Sequence, residues 1–353
     1  MIEISAHGTP RMRGVAQQGA ADRQLVARAT VGRVELARAD GLIDADAEAY
    51  LAAQRRFHEE HDPESLDELA GIAEAHGLSE ADLFAHLHLG TLRDMKGGGV
   101  LIEGCSAIAV AQGPEGPMVL KNRDFSGLHL GIQCVLRHSG PDIATGSVLS
   151  LGSLGSLAAW SSGINAAGLA VADTQVAVNR HRVGWLRYFL LPRLLARART
   201  VPQALALIRS LPHAGGGTLV LADRSGATAG VELSAAGPVI EEGGLQWRTN
   251  HFRHPLVQDE TLESDDDRIA GTSHSRHDYL SRILPTRSWT VASGKALLSA
   301  HPDPEGAPVC QHGDGGAGSE TISSVIYSCS LGAMEISEGT PCLGRWQAVA
   351  PCR

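Results

Sequence analysis

Residues 102–125 read Ile-Glu-Gly-Cys-Ser-Ala-Ile-Ala-Val-Ala-Gln-Gly-Pro-Glu-Gly-Pro-Met-Val-Leu-Lys-Asn-Arg-Asp-Phe. Two apolar runs flank a Gly/Pro-rich centre, the pattern of a β-hairpin. Cys105 opens the first strand directly after Gly104, and Asn122-Arg-Asp124-Phe ends the second. In an antiparallel hairpin the start of one strand lies beside the end of the other. The pattern therefore places Cys105 near Asn122 and Asp124, a thiol, an amide and a carboxylate at one mouth of a sheet.

Outward from this hairpin the chain changes character. A short strand at 2–5 precedes a turn in which Thr9 reads as a helix N-cap and Pro10 as the first helical residue. Segments 15–38, 45–60, 65–76 and 79–92 then carry apolar residues at three- and four-residue spacing. Ser65 with Glu68 has the form of a capping box, Ser79 with Asp82 resembles one, and Gly77 is a C-terminal stop. Met95-Lys-Gly-Gly-Gly-Val-Leu101 is a flexible joint. After Cys105, short β-like runs recur at 105–112, 117–122, 131–137, 147–151, 156–162 and 168–173. A helical pair follows at 184–198 and 201–210, then strands at 218–222 and 229–233. Helices at 274–284 and 291–299 and a closing hairpin at 323–337 end the pattern. Strands in runs and helices in blocks give an α+β layered fold, not a βαβ repeat.

The bulk properties exclude several classes. The 353 residues are 43% hydrophobic and 20% charged, enough to bury a core without staples. A net charge of -9 argues against a nucleic-acid partner. The N-terminus lacks the charged and apolar regions of a secretory signal. The apolar run near Trp185–Leu195 contains Arg187, Pro192 and Arg193, too charged to span a bilayer. The six cysteines show no C-x-x-C spacing. A reduced, cytoplasmic setting is expected, with the late cysteines as small buried residues or surface thiols and not as ligands. No metal is expected either. His58 with His61, and His86 with His88, lack the His-Glu-x-x-His pattern and read as exposed helix faces. Gly215-Gly-Gly-Thr218 lacks the lysine of a phosphate loop and reads as a turn, and Asp265-Asp-Asp267 as a solvated loop.

The chemistry centres on Cys105. A thiolate is a strong nucleophile that needs a nearby base or a lowered pKa. If the bond before Cys105 is cut, the new α-amino group sits on the same residue, and at a pKa of about 7.7–8.0 it can take the thiol proton. Gly104 suits such a cut because it tolerates strained backbone. Taken alone, Cys105 reads first as an ordinary buried cysteine at a strand start.

Several further motifs bear on that choice: Ile4-Ser-Ala-His-Gly-Thr-Pro-Arg-Met-Arg-Gly14, Asp67-Glu-Leu-Ala-Gly-Ile-Ala-Glu-Ala-His-Gly-Leu78, Gly163-Ile-Asn-Ala-Ala-Gly-Leu169, Leu221-Ala-Asp-Arg-Ser-Gly226 with Val231-Glu232, Thr249-Asn-His-Phe252 and Ser275-Arg276. Together with Gly104-Cys-Ser106 and Asn122-Arg-Asp-Phe125, their order resembles the acyl-coenzyme A:6-aminopenicillanic acid acyltransferase family. These are N-terminal-nucleophile (Ntn) hydrolases related to penicillin V acylases and conjugated bile acid hydrolases.

The resemblance implies a four-layer αββα Ntn-hydrolase sandwich. Residues 1–104 would be a helical, propeptide-like segment retained as a small subunit, and 105–353 the catalytic core, together one structural domain. It also implies autocatalytic cleavage of a zymogen between Gly104 and Cys105. Cys105 matches the nucleophile, Asp124 the carboxylate beside it, Asn250 an oxyanion donor, and Arg276 with Ser275 a polar pair near the nucleophile. Asn122 is a supporting candidate, as is Asn165, where bile acid hydrolases place a second asparagine. Lys121 falls where those hydrolases carry arginine, and Ser106 where the acyltransferases carry threonine. The implied activity is amide hydrolysis or acyl transfer on a small acylated substrate, without a cofactor, an acyl-coenzyme A or other thioester entering as substrate. No nucleic acid or membrane partner is expected, and a homo-oligomer stays open. The alternative class is an uncleaved binding or scaffold relative.

Overall fold

The computed structural model describes residues 1–98, 104–263, 268–302, 307–313 and 318–351, with only backbone for 268–271. The end of the joint (99–101), Asp265–Asp267 and Cys352 lie outside the described residues. The chain begins with strand β1 (Ile2–His7) and helices α1 (Pro10–Val15), α2 (Arg23–Ala29), α3 (Val31–Ala39), α4 (Ala45–His61), α5 (Pro63–His76) and α6 (Glu80–Asp94). Strands β2 (Gly104–Val110), β3 (Met118–Ser126), β4 (Gln133–Ser139), β5 (Ser147–Ser153), β6 (Ser162–Asn165) and β7 (Ala170–Thr174) follow. Next come α7 (Arg187–Arg197), α8 (Val201–Ser210), β8 (Thr218–Ala222), β9 (Thr228–Ser234), β10 (Gly237–Glu242) and β11 (Gln246–Arg248). The last elements are α9 (Arg268–Ile283), α10 (Val291–Leu298), β12 (Ser319–Ser328), β13 (Ala333–Glu338) and β14 (Trp346–Val349).

The fold is α+β, with two sheets. One has the order β1-β4-β5-β6-β7-β8-β9-β10, the other β11-β2-β3-β12-β13-β14. All pairings are antiparallel except β1 with β4. The two-residue period of a strand sorts side chains onto two faces. Ala107 and Ala109 of β2 and Val119 of β3 share a core with Ala170, Ala172, Val220 and Ala222 of the first sheet. The alternate residues Ile108, Val110, Met118 and Leu120 pack instead with Leu280, Leu284, Leu297 and Leu298 around α9 and α10. On the far side of the first sheet, Val171, Leu219 and Val231 pack with residues of α3–α8. The sheets thus face one another, with helices on both outer faces. No helix among the described residues is long and apolar enough to cross a membrane.

Thr9 caps α1 through Met12 N, Pro10 is its first residue, Ser79 caps α6 through Asp82 N, and Gly77 ends α5 in the left-handed region. The remaining Gly-Thr-Pro-Arg-x-Arg-Gly residues serve packing. Arg13 makes a bidentate pair with Asp142 at 2.8 and 2.7 Å. Gly14 and Gly71 let α1 and α5 touch backbone to backbone: a Cβ on Gly14 would lie 2.2 Å from Glu68 O, and one on Gly71 2.2 Å from Arg11 O.

Several expectations are corrected. The helical stretch 15–38 divides into separate short helices, because the chain turns through Gly19 at φ 71° and again at Thr30. Helix α5 starts at Pro63 after Asp62, so Ser65 and Glu68 lie inside it and form no capping box. Glu68 instead accepts from Ala158 N at 2.8 Å. That bond belongs to the segment expected as a strand at 156–162, which is a turn up to Ser161. Side chains of Glu68 and Ser150, not a neighbouring strand, take the backbone N–H groups of Ala158 and Ala159. His58, His86 and His88 are buried and not on an exposed face. Burial pushes His58 and His88 down to about 3 and His86 well below its usual value, so all three pack as neutral rings.

Candidate active site

Strand register decides what surrounds the cysteine. Cys105 pairs with Arg123, while Gly104 pairs with Asp124 and Ser106 with Asn122. The pleat therefore puts the Cys105 side chain on the inter-sheet face with Lys121 and Arg123. Asn122 and Asp124 start from the other face, so the amide leaves the expected grouping, while Asp124 still lines the Cys105 cleft and acts on the thiol. Asn122 donates to Leu298 O and Val309 O at 2.7 and 2.9 Å and accepts from Ser324 Oγ at 2.6 Å, anchoring the α10 layer. Asp124 Oδ1 accepts from Thr321 Oγ1 at 2.6 Å, and its Oδ2 has no partner among the described residues. Burial raises the Asp124 pKa, against the pull of Arg276.

Asn250 and Arg276 converge on Cys105 from distant elements. Asn250 lies just after β11, which pairs with β2. Its Oδ1 accepts from Cys105 N at 3.1 Å and from Arg276 Nη2 at 2.7 Å. Two donors on one atom fix the amide orientation. The amide nitrogen donates to Gln175 O at 2.8 Å, and Asn250 N donates to Ser273 Oγ at 2.8 Å. Arg276, buried on α9, donates through Nη1 to Cys105 O at 2.6 Å and to Ser106 Oγ at 3.0 Å. One guanidinium thus ties β2 to the asparagine.

Two other candidates stand elsewhere. Asn165 spends its amide on the β6–β7 turn and the end of α7. It donates to Leu195 O and Ala198 O and accepts from Ala167 N and Leu169 N, so it is not an oxyanion-side group. Ser275 Oγ accepts from Ala307 N at 2.9 Å and likewise does not reach Cys105.

Lys121 does stand beside the cysteine. Its Nζ donates to Ser161 Oγ at 2.6 Å and forms a buried ion pair with Asp173, which also takes Arg187 Nε at 2.7 Å. Burial would raise Asp173, but Lys121 and Arg187 outweigh it and hold the carboxyl below its usual range. For the Cys105 thiol, burial is the largest influence and pushes it up; Lys121 pulls it down, Asp173 and Asp124 push up, and Arg123 pulls down. The outcome is a raised value, so in the unbroken chain the cysteine is protonated near neutral pH.

A narrow cleft reaches Cys105 between Arg123, Asp124, Trp160, Gln175, Arg187 and Tyr188. Arg123 stacks 4.2 Å over the Trp160 ring, and Trp160 packs on Tyr188 with centroids 4.6 Å apart. A larger hollow of about 60 Å³ lies between α5 and α7, lined by Arg13, Asp62, Glu68, His138 and Arg193. Its lining holds no cysteine, whereas the smaller cleft contains Cys105. Asp173, Arg187 and Arg123 were not among the candidates read from the sequence. Their signal was present: charged residues inside runs otherwise apolar enough to be buried.

A family model matches residues 111–342, well over half of the chain. The chain belongs to the acyl-coenzyme A:6-aminopenicillanic acid acyl-transferase family. The chain also resembles solved structures at low identity. A variant of the conjugated bile acid hydrolase from Clostridium perfringens matches with TM-score 0.47 and 12% identity, covering 70% of this chain and 92% of that one. The Caenorhabditis elegans N-acylethanolamine-hydrolyzing acid amidase ortholog gives 0.41 and 14%, with 64% and 94% covered. Penicillin V acylase from Agrobacterium tumefaciens gives 0.38 and 14%, with 66% and 82% covered. A search of curated protein sequences gives no match.

Proposed function

We propose that this acyl-transferase family member cuts its own chain between Gly104 and Cys105 and then uses Cys105 as an N-terminal nucleophile on a small acylated substrate. The observation that carries the reading is the convergence of Asn250 and Arg276 on the backbone of Cys105, the residue whose thiol opens on the cleft.

In the precursor, the Cys105 thiol attacks the Gly104 carbonyl carbon. The C–N bond breaks as the C–S bond forms, the nitrogen takes the thiol proton, and a thioester results. Water then hydrolyses it, leaving a carboxylate on Gly104 and a free amine on Cys105. That amine inherits the position of the present Cys105 N, in reach of Asn250 Oδ1. Titrating at about 7.7–8.0, it accepts the thiol proton and so offsets the burial that keeps the thiol neutral in the uncut chain. The resulting thiolate attacks an amide or thioester carbonyl. The second amide N–H of Asn250, beyond the one given to Gln175, is the oxyanion donor; such a group contributes about 3–4 kcal/mol of barrier lowering. The Cys105 ammonium returns its proton to the leaving group, and water or an amine acceptor resolves the acyl-enzyme.

The donor is an amide or an acyl thioester such as acyl-coenzyme A. The cleft as it stands has room for about one water molecule, about 10 Å³. Seating an acyl group there requires side chains at its mouth, Trp160 and Tyr188 among them, to move aside.

Intact mass and a gel of the purified protein test the first act. A fragment beginning at Cys105, absent from a Cys105→Ala variant, is expected. A single uncut chain in both would overturn self-cleavage and favour a binding-only role. Acyl-enzyme trapping with amides and thioesters, with and without amine acceptors, separates hydrolase from transferase.

A further inference from the structure

Four side chains from separate parts of the C-terminal region meet on the outer edge of the α10 layer. His301 follows α10, Cys310 and His312 stand in the segment returning to β12, and Cys342 lies in the helical turn Pro341–Leu343 before β14. One ligand atom from each lies within 4.8 Å of the others. His312 Nε2 is 3.0 Å from His301 Nε2, 3.3 Å from Cys342 Sγ and 3.8 Å from Cys310 Sγ. Hydrogen bonding does not account for this arrangement. An imidazole nitrogen carries one proton or one lone pair, and here three groups crowd the same nitrogen.

A cation at the centre accounts for it. Zinc bonds of about 2.0–2.1 Å to nitrogen and about 2.3 Å to sulfur place the corners of a tetrahedron about 3.3–3.8 Å apart. The contacts around His312 match those edges to within a few tenths of an ångström. Two thiolates and two neutral imidazoles also balance a divalent charge, and an S₂N₂ donor set is that of a closed structural zinc site. We propose that His301, Cys310, His312 and Cys342 bind a zinc ion.

Binding expels two thiol protons and leaves each sulfur as a ligand. The ion crosslinks the end of α10, the β12 approach and the β14 approach. Between Cys310 and His312, Gln311 N donates to Thr321 Oγ1 at 2.8 Å, and Thr321 donates to Asp124 at 2.6 Å. The site therefore holds the outer support of Asp124 in place. It stands independently of any role for Cys105.

The test uses the full-length protein kept reduced. Elemental analysis is expected to find equimolar zinc. After chelation, Co²⁺ alone should restore a visible spectrum with tetrahedral d–d bands and a thiolate-to-cobalt charge-transfer band, saturating at one equivalent. Cys342→Ser and His301→Ala each alter an exposed ligand, and with wild-type circular dichroism each should lose most of the bound zinc and weaken the cobalt spectrum. The proposal is overturned if wild-type protein shows neither zinc nor a cobalt charge-transfer band, if both variants keep full zinc, or if native protein carries a Cys310–Cys342 disulfide.

Discussion

Removing the Arg276 guanidinium tests whether the site is assembled as one unit. In Arg276→Leu, four acceptors lose a charged donor: Cys105 O, Ser106 Oγ, Asn250 Oδ1 and Thr272 Oγ1. Asn250 Oδ1 keeps Cys105 N, and the Ser106 hydroxyl can rotate. Cys105 O is the acceptor left without this donor, at a cost of about 1–3 kcal/mol. Asp124 also loses its largest compensating charge and is driven further toward its protonated form. Stability should therefore fall by about 2–4 kcal/mol, near the range for breaking a buried charge contact. Because the Asn250 side chain loses its tie to α9 and only the backbone bond to Ser273 remains, appearance of the fragment beginning at Cys105 should slow by roughly 10²-fold, equivalent to about 3 kcal/mol. Arg276→Lys should recover stability better than cleavage, since one ammonium lacks the fork that spans Cys105 O and Asn250 Oδ1. Intact mass against time after synthesis measures cleavage, and urea unfolding measures stability. An Arg276→Leu protein that unfolds and cleaves like wild type would refute the assembly argument.

Other residues give equally direct tests. Asp173→Asn leaves Lys121 and Arg187 buried without their shared carboxylate and should destabilise by about 3–5 kcal/mol, read from chemical unfolding. In the uncleaved chain it should also make Cys105 react faster with iodoacetamide at fixed pH, since Asp173 opposes thiol ionisation; unchanged alkylation would contradict that electrostatic link. Gly71→Ala should destabilise by at least about 1–3 kcal/mol, because its methyl group meets the α1 backbone; a neutral thermal shift would show that α1 and α5 do not pack this closely. His58 has a folded pKa of about 3 against an ordinary value of 6.5. The unfolded chain therefore binds the extra proton first, and stability is lost as pH falls from about 6.5 toward 3, by about 3 kcal/mol at pH 4. His58→Phe should flatten the wild-type acid slope over that window; an identical pH dependence of unfolding would rule His58 out as its source.

Much of the architecture is local enough to be legible in the chain. The three- and four-residue spacing of apolar positions marked α4, α5 and α6, and Thr9, Ser79 and Gly77 marked helix ends through bonds a few residues long. The β2–β3 hairpin followed from two apolar runs around Gly113-Pro-Glu-Gly-Pro117. Motif order also carried the family. Motifs did not carry roles, because a recurring residue can serve packing: Gly14 and Gly71 permit a helix contact, and Asn165 closes a turn.

The sequence by itself determined the α+β class, the central hairpin and the pairing of Cys105 with an asparagine and an arginine far along the chain as candidates. Only the tertiary structure decided which residues face Cys105. A hairpin read within a residue or two is enough to name its strands, but one step of register moves every side chain to the opposite face. Hence Arg123 and Lys121, not Asn122 and Asp124, share the face of the thiol. The same limit applies to Asp173 with Lys121, and to His301, Cys310, His312 and Cys342. Their proximity comes from packing two sheets and their helices together, and no local spacing along the chain encodes it.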